Sequence, residues 1–264
     1  MSFGPRPWLQ AHWDWRAACN FMFGGSGAGL VVAASLLQGA AADLAMLAGL
    51  ALVAAGLAAV WLEIGRKLRA LHVFFNPFTS WMTREAFAAV LLFGLGLAGL
   101  LPGADWLRWL AAVAALAFVW CQGRILHGAK GIPAWRRGEV VPLAVASGVA
   151  EGAAVAFALQ PGRAVLALAV FALLARGAAW LRYRGALQNA RAEAALLGPG
   201  RILLAAGTAA PLAMLAFSPM APVAAWLAAA SALAAGWQFR FALVTRAAFN
   251  QGFALPHLPV RGAR

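Results

Sequence analysis

The sequence predicts an all-α integral membrane protein with eight transmembrane helices and both termini on the cytoplasmic side. Three observations predict it. The 264 residues are 64% hydrophobic, with a mean hydropathy of +0.79 and only 11% charged residues, whereas about a quarter of a soluble domain is charged. The uncharged stretches are long enough to cross a bilayer, which takes roughly 20 residues in a helix. Finally, the basic residues alternate. Eighteen of the 21 Lys and Arg residues fall in the N-terminal arm, every second loop and the tail, while only Arg108 and Arg163 fall in the intervening turns. That alternation follows the positive-inside rule, and losing one span would scramble it.

The elements follow in order as a single membrane domain over 1–264. Residues 1–16, with their prolines and tryptophans, read as an interfacial arm. Spans are expected at about 17–38, 44–64, 84–102, 106–126, 140–160, 164–182, 202–217 and 221–240. The first apolar run continues for 26 residues after Arg16 without a charge, too long for the apolar region of a signal peptide. It contains FGGSGAG at 23–29. No strand precedes that motif and no Gly-Lys-Ser/Thr follows it, so it reads as a close-packing face of small residues and not as a phosphate loop. Asp43 marks a turn before the second span, and Pro102-Gly103 closes the third. The fifth span carries Glu151 near its middle and the sixth carries Arg176, so a buried ion pair is expected between them. The polar segment 182–201 reads as a loop. The 38 uncharged residues at 202–239 exceed one span, and SPMAP at 218–222 divides them into a hairpin.

Composition also excludes classes of function. The net charge of +13 is spread between apolar runs and not gathered in one domain, which argues for membrane topology and against nucleic acid. Cys19 and Cys121 both fall inside expected spans, so neither a disulfide framework nor a CxxC metal site is expected. His12 and His257 lie in the arms and His72 and His127 in loops. With no His expected inside a span, a transmembrane haem has no axial ligands. No HExxH, GxSxG or Walker sequence occurs.

The chemistry-bearing stretch is EIGRKLRALHVFFNPFTSWMTRE, residues 63–85, the loop between the second and third spans. Glu63 and Glu85 stand at its two lips, with Arg66, Lys67, Arg69, His72 and Arg84 between them. Acids at membrane depth cost about 2.5–3.5 kcal/mol on insertion scales, so these carboxylates either pair or handle protons. The plain reading pairs Glu63 with Lys67 one turn on and Glu85 with its basic neighbours. The alternative is a quinone site, which needs an apolar slot, a few hydrogen-bonding groups and a group that exchanges protons. Glu85, Arg84, His72, Glu63 and Trp81 are the candidates, although Trp81 also suits the aromatic belt of a membrane interface.

AACNFMFGGSGAGL (17–30), LEIGRKLRALHVFFNPFTSWMTREAF (62–87), AKGIPAWR (129–136) and RAAFNQGFALPHLPVRG (246–262) resemble the membrane-anchor subunits of DMSO-reductase-type molybdoenzymes. Those are eight-helix proteins distantly related to the polysulfide-reductase anchors. The tail and the GIPAWR loop look closest to the phenylacetyl-CoA:acceptor oxidoreductase branch. The resemblance implies a haem-free anchor in a bacterial inner membrane that exchanges electrons with the quinone/quinol pool. Its partners would be a four-cluster ferredoxin-like iron–sulfur subunit and a molybdopterin catalytic subunit, which alone hold the clusters and the molybdopterin. Glu85 matches the family's quinol-site carboxylate. Where the family can carry a His at the end of the second span, Glu63 stands here, with His72 nine residues on. The basic loops, through Arg66, Lys67, Arg69, Lys130, Arg136 and Arg137, and the tail would dock the iron–sulfur subunit. Two rivals remain at this level: a proton- or ion-coupled transporter using Glu151 and Arg176, and a purely structural anchor.

Overall fold

The computed structural model describes residues 6–64 and 66–252. Among these residues every element is helical, apart from one isolated antiparallel bridge between Leu9 and Phe249. Eight helices are long and apolar enough to cross a membrane: α1 (Trp15–Ala34), α2 (Gly39–Glu63), α3 (Trp81–Ala98), α4 (Asp105–Gly128), α5 (Val140–Leu159), α6 (Arg163–Ala186), α7 (Ala190–Phe217) and α8 (Val223–Thr245). This is the architecture of a multi-pass membrane protein. The part of the expected docking tail beyond Gly252, including His257, lies outside the described residues.

Several boundaries differ from expectation, and four of them move a polar residue into a helix. α7 begins at Ala190 and not near 202, because Asn189 caps it by accepting from the N–H groups of Arg191 and Ala192 at 3.0 and 3.2 Å. Its 28 residues extend about 42 Å at ~1.5 Å per residue, beyond a hydrocarbon core of about 30 Å. Its first turns therefore suit the interface, and Arg201 is helical. α8 runs on to Thr245, which moves Arg240 from the tail into a span. α4 extends to Gly128 and takes His127 into its last turn. α2 begins at Gly39, so Asp43 is not in a turn; it accepts from Arg108 Nη2 at 2.7 Å. Arg108 also pairs with Asp105 at 3.2 Å and donates to the Gly99 carbonyl at 2.8 Å, so this basic residue of the far end is fully compensated.

α1 is the central helix, with 78% of its span window buried, while α3 and α7 are peripheral at 33% each. Small residues make that centrality possible, since association in lipid relies on close packing and not on a hydrophobic force. A Cβ at Gly27 would lie 2.5 Å from the Gly49 carbonyl of α2, and one at Gly29 or Gly152 would run into α5 or α1 backbone. The packing reading of FGGSGAG thus describes its glycines. α1 is not a regular helix, however. Residues Asn20–Gly24 form a π turn, and a second π turn spans Ala205–Ala209 in α7.

The arm and the tail meet at one end of the bundle, here termed the arm end. The Gln10 N–H donates to the Ala248 carbonyl at 3.0 Å and Asn250 N–H to the Trp8 carbonyl at 2.9 Å, while Gln251 N–H reaches the Gly131 carbonyl at 3.2 Å. The GIPAWR loop is locked beneath them. Trp135 Nε1 donates to the Leu243 carbonyl at 2.8 Å, and its ring stacks on Trp13 at 4.8 Å. Asp14 caps α1 through the Arg16 N–H. The Arg16 side chain, hydrogen-bonded to that carboxyl, holds it below the usual carboxylate range.

Candidate functional site

The segment after α2 positions the first candidate site. Lys67 does not pair with Glu63. Its Nζ donates to the Trp61 and Leu62 carbonyls at 2.9 and 3.0 Å, closing the end of α2 where carbonyls lack helical partners. Residues Lys67–Phe75 then form a 3-10 helix with no buried residue. Asn76 and Pro77 turn the chain into α3. Arg84 braces that turn, donating from Nε to the Pro77 carbonyl at 2.9 Å and from Nη2 to the Phe78 carbonyl at 2.7 Å. Ser80 caps α3 by accepting from the Thr83 N–H at 3.3 Å.

Between α1, α2, the 3-10 helix, α3 and α4 lies a cavity of about 710 Å³, inside the usual range for small-molecule sites. Its wall is mostly apolar and includes Trp13, Phe21, Trp61 and Phe74. The polar members are Asn20, Glu63, Arg69 and Glu85. Glu85 is 6% exposed and accepts from Asn20 Nδ2 at 3.3 Å. Among the described residues, neither Glu63 nor Glu85 lies within ion-pair distance of a cation, so the expected surface pairs are not made. A carboxyl without an ion-pair partner can take up or release a proton without breaking an ion pair.

The other residues expected here are placed elsewhere. Trp81 is clasped between the guanidinium groups of Arg84 and Arg124, at 4.2 and 4.6 Å from its ring centre. It shares a helix side with Glu85, but neither it nor Arg84 lines the cavity. His72 is exposed, with Nδ1 3.3 Å from the Arg69 carbonyl and its ring edge-on to Phe75. Glu63, at the cavity wall, is therefore the second carboxyl of the site, and His72 stands outside it. Of the residues expected to dock a partner, Arg66, Arg69, Lys130 and Arg136 are exposed and Arg137 is half-buried, whereas Lys67 is occupied by α2.

A second polar site lies deeper. Ser26 and Glu151 are each about 16 Å along their helices from the arm end, at ~1.5 Å per residue, which is near mid-bilayer. Glu151 and Arg176 have no exposed surface. The expected Glu151–Arg176 pair is present at 3.7 Å, but the closer partner is Arg240, whose Nη2 is 2.9 Å from Glu151 Oε1. Ser26 Oγ donates to the other carboxylate oxygen, and Trp237 Nε1 donates to Ser26 Oγ at 2.9 Å. A Cβ at Gly236 would collide with the carboxylate, so this glycine is what lets Glu151 reach α8.

The π turn of α1 joins the two sites. A π turn leaves helix carbonyls free of their usual partners, and Arg240 Nη1 donates to those of Phe21 and Met22 at 3.0 and 2.9 Å. From the same turn, the Asn20 side chain reaches Glu85 and its carbonyl accepts from Gln122 Nε2 at 2.9 Å. Sequence reasoning missed Asn20, Ser26, Gln122 and Arg240. Three of these sit singly inside apolar or Gly-rich runs. Arg240 carries a signal, because the apolar Phe241-Ala242-Leu243-Val244 that follows it continues the span. Neither comparison with known protein families nor comparison with curated proteins returned a match for this chain.

Proposed function

We propose that this chain is a quinone-reactive membrane anchor subunit of a molybdopterin/iron–sulfur oxidoreductase complex. The observation that carries the reading is the cavity of about 710 Å³ at the arm end, walled by aromatic and aliphatic side chains, with Glu85 buried in it and no cation within ion-pair distance of that carboxyl among the described residues. The site meets the needs of a quinone headgroup: an apolar slot, an amide on Asn20, and two carboxyls. A quinone supplies a two-electron, two-proton acceptor to the membrane. The chain's own residues supply the rest. Glu85 holds or moves a proton at its carboxyl, and Asn20 fixes the orientation of that carboxyl. Glu63 stands at the arm-end lip, where protons can exchange with water. The aromatic wall excludes water from the headgroup.

The resemblance of residues 62–87 to the molybdoenzyme anchors supports the same reading and supplies the partners: an iron–sulfur subunit and a molybdopterin subunit, docked on the basic arm end. Charge supports an orientation with both termini in the cytoplasm of a bacterial cell. The count of basic residues at the arm end loses Arg240 to the interior, yet the asymmetry persists, since Arg108 at the far end is compensated by two acids. The transporter reading draws on the Glu151 cluster. That carboxylate is held by two arginines and a serine, an arrangement suited to holding helices together more than to releasing an ion.

The test is oxidation of a quinol analogue by the assembled membrane complex, wild type against Glu85→Gln, with subunit assembly checked in parallel. The expected result is a loss of turnover of about a hundredfold or more with assembly intact, the scale of a general acid–base group. Unchanged turnover removes Glu85 from the chemistry and leaves the chain a structural anchor.

A further inference from the structure

A groove of about 410 Å³ opens at the arm end between the arm, the 129–137 loop and the start of α7. Its lining includes Pro7, Arg136, Arg137, Asn189, Arg191 and Gln251, and no carboxylate. The guanidinium groups are held in place by neutral acceptors. Arg136 Nη1 donates to Gln251 Oε1 at 2.9 Å, and Arg191 Nη1 donates to the Pro7 carbonyl at 2.5 Å. Arg137 Nε is buried and has no hydrogen-bond partner among the described residues. None of the three arginines lies within ion-pair distance of an acid among the described residues. Residues 1–5 and 253–264 carry no Asp or Glu side chain either.

We infer that this groove is a binding site for a phosphate-bearing anion. Arginines fixed by uncharged partners keep their charge and their spare N–H donors for a ligand. Guanidinium groups match phosphate oxygens two at a time, which an ammonium cannot. Basic pockets at the cytoplasmic ends of transmembrane helices bind anionic headgroups, and the groove stands at the arm end, which the proposed orientation puts on that side. Two sources share this chemistry, the headgroup of an anionic phospholipid and a free phosphate. The inference is independent of the quinone reading, because no residue of the groove lines the other cavity.

The experiment uses the full chain purified in a neutral detergent and titrated separately with phosphatidylglycerol, phosphatidylcholine and inorganic phosphate. Bound lipid is read by native mass spectrometry and affinity by the shift in unfolding midpoint, since a ligand of the folded state raises it. Phosphatidylglycerol is expected to bind and stabilise while phosphatidylcholine does not. Arg136→Gln/Arg191→Gln should weaken that binding by about tenfold, as loss of charge-assisted hydrogen bonds does. Arg163→Gln, an exposed arginine at the far end, should leave it unchanged. Inorganic phosphate binding with the same dependence on the arginines, and no lipid binding, identifies a free phosphate as the ligand and also supports the site. No binding of either anion overturns the inference, as does equal loss with Arg163→Gln. Should the glutamine variant fail to fold, Arg136→Lys/Arg191→Lys keeps the charge without the paired donors, and wild-type affinity in that variant overturns the inference as well.

Discussion

Two buried glutamates of one bundle, Glu85 on α3 and Glu151 on α5, are treated in opposite ways. Glu151 lies near mid-bilayer with Arg240 at 2.9 Å, Arg176 at 3.7 Å and Ser26 on its second oxygen. Glu85 lies about 6 Å into α3, at ~1.5 Å per residue, and has one amide contact at 3.3 Å and a cavity in front of it. The first carboxylate is surrounded by charge and has no room to change state. The second has room and, among the described residues, no cation within ion-pair distance. Burial alone therefore does not separate the two acids. The proposed role of Glu85 rests on burial combined with an open volume and no cation within ion-pair distance among the described residues, an arrangement in which a proton can move without dismantling an ion pair.

The sharpest way to break this contrast is to neutralise each acid in turn. Glu151→Gln leaves Arg240 and Arg176 buried without an anion, and removing one partner of a buried pair costs about 3–5 kcal/mol. The unfolding midpoint in detergent should fall steeply, and yield of the folded chain with it. Glu85→Gln keeps the shape and the amide contact, so its stability should change by no more than about 1 kcal/mol. Equal losses for the two variants would erase the distinction between a structural and a working carboxylate. Pairing Glu151→Gln with Arg240→Met should recover part of the stability, since the stranded charge is then gone.

The sequence made some of this contrast legible. Glu85 stood out because it opens an apolar run beside a basic loop, and Glu151 because acids are rare inside spans. The first six helices were readable because charge bounds their apolar runs, and the last two because SPMAP divides one uncharged run of 38 residues. The environment of each acid was not readable. Asn20 and Ser26 are single polar residues in a Gly- and Ala-rich run with no amphipathic period to say which way they face. The π turn that aims Asn20 at Glu85 and frees two carbonyls for Arg240 leaves no mark in composition. Arg240 looked like the flank of a span because it follows 38 uncharged residues, yet its guanidinium points back into the bundle. Lys67 illustrates the converse. Its spacing from Glu63 suits an ion pair, but the unpaired carbonyls at the end of α2 compete for it and win.

An intermediate effect is expected at Asn20, where the two sites touch. Asn20→Ala removes the side-chain donor to Glu85 but keeps the backbone carbonyl that accepts from Gln122 at 2.9 Å. Leaving a buried carboxyl without its partner costs about 1–3 kcal/mol. If Glu85 is the working acid, the substitution should also shift the pH profile of quinol oxidation. If it lowers stability and leaves that profile in place, Asn20 serves only to tie α1 to α3 through Glu85.

The smallest effect tests whether Glu85 depends on the helix end that carries it. Ser80 caps α3 through the Thr83 N–H at 3.3 Å, and Glu85 follows within the first two turns. Ser80→Ala should cost about 1 kcal/mol, as loss of a cap does, and it should loosen the turn that Arg84 braces from the other side. The cavity wall formed by Met82, Glu85 and Ala86 then becomes less well fixed. If Glu85 is the working acid, binding of a quinol analogue should weaken while that carboxyl stays chemically intact, so KM should rise with kcat nearly unchanged. The Glu151 cluster lies on α1, α5, α6 and α8 and shares no residue with this cap, so the variant should unfold with the same cooperativity as the wild type. A fall in kcat of the size expected for Glu85→Gln would mean that the first turn of α3 sets the chemistry as well as the fit.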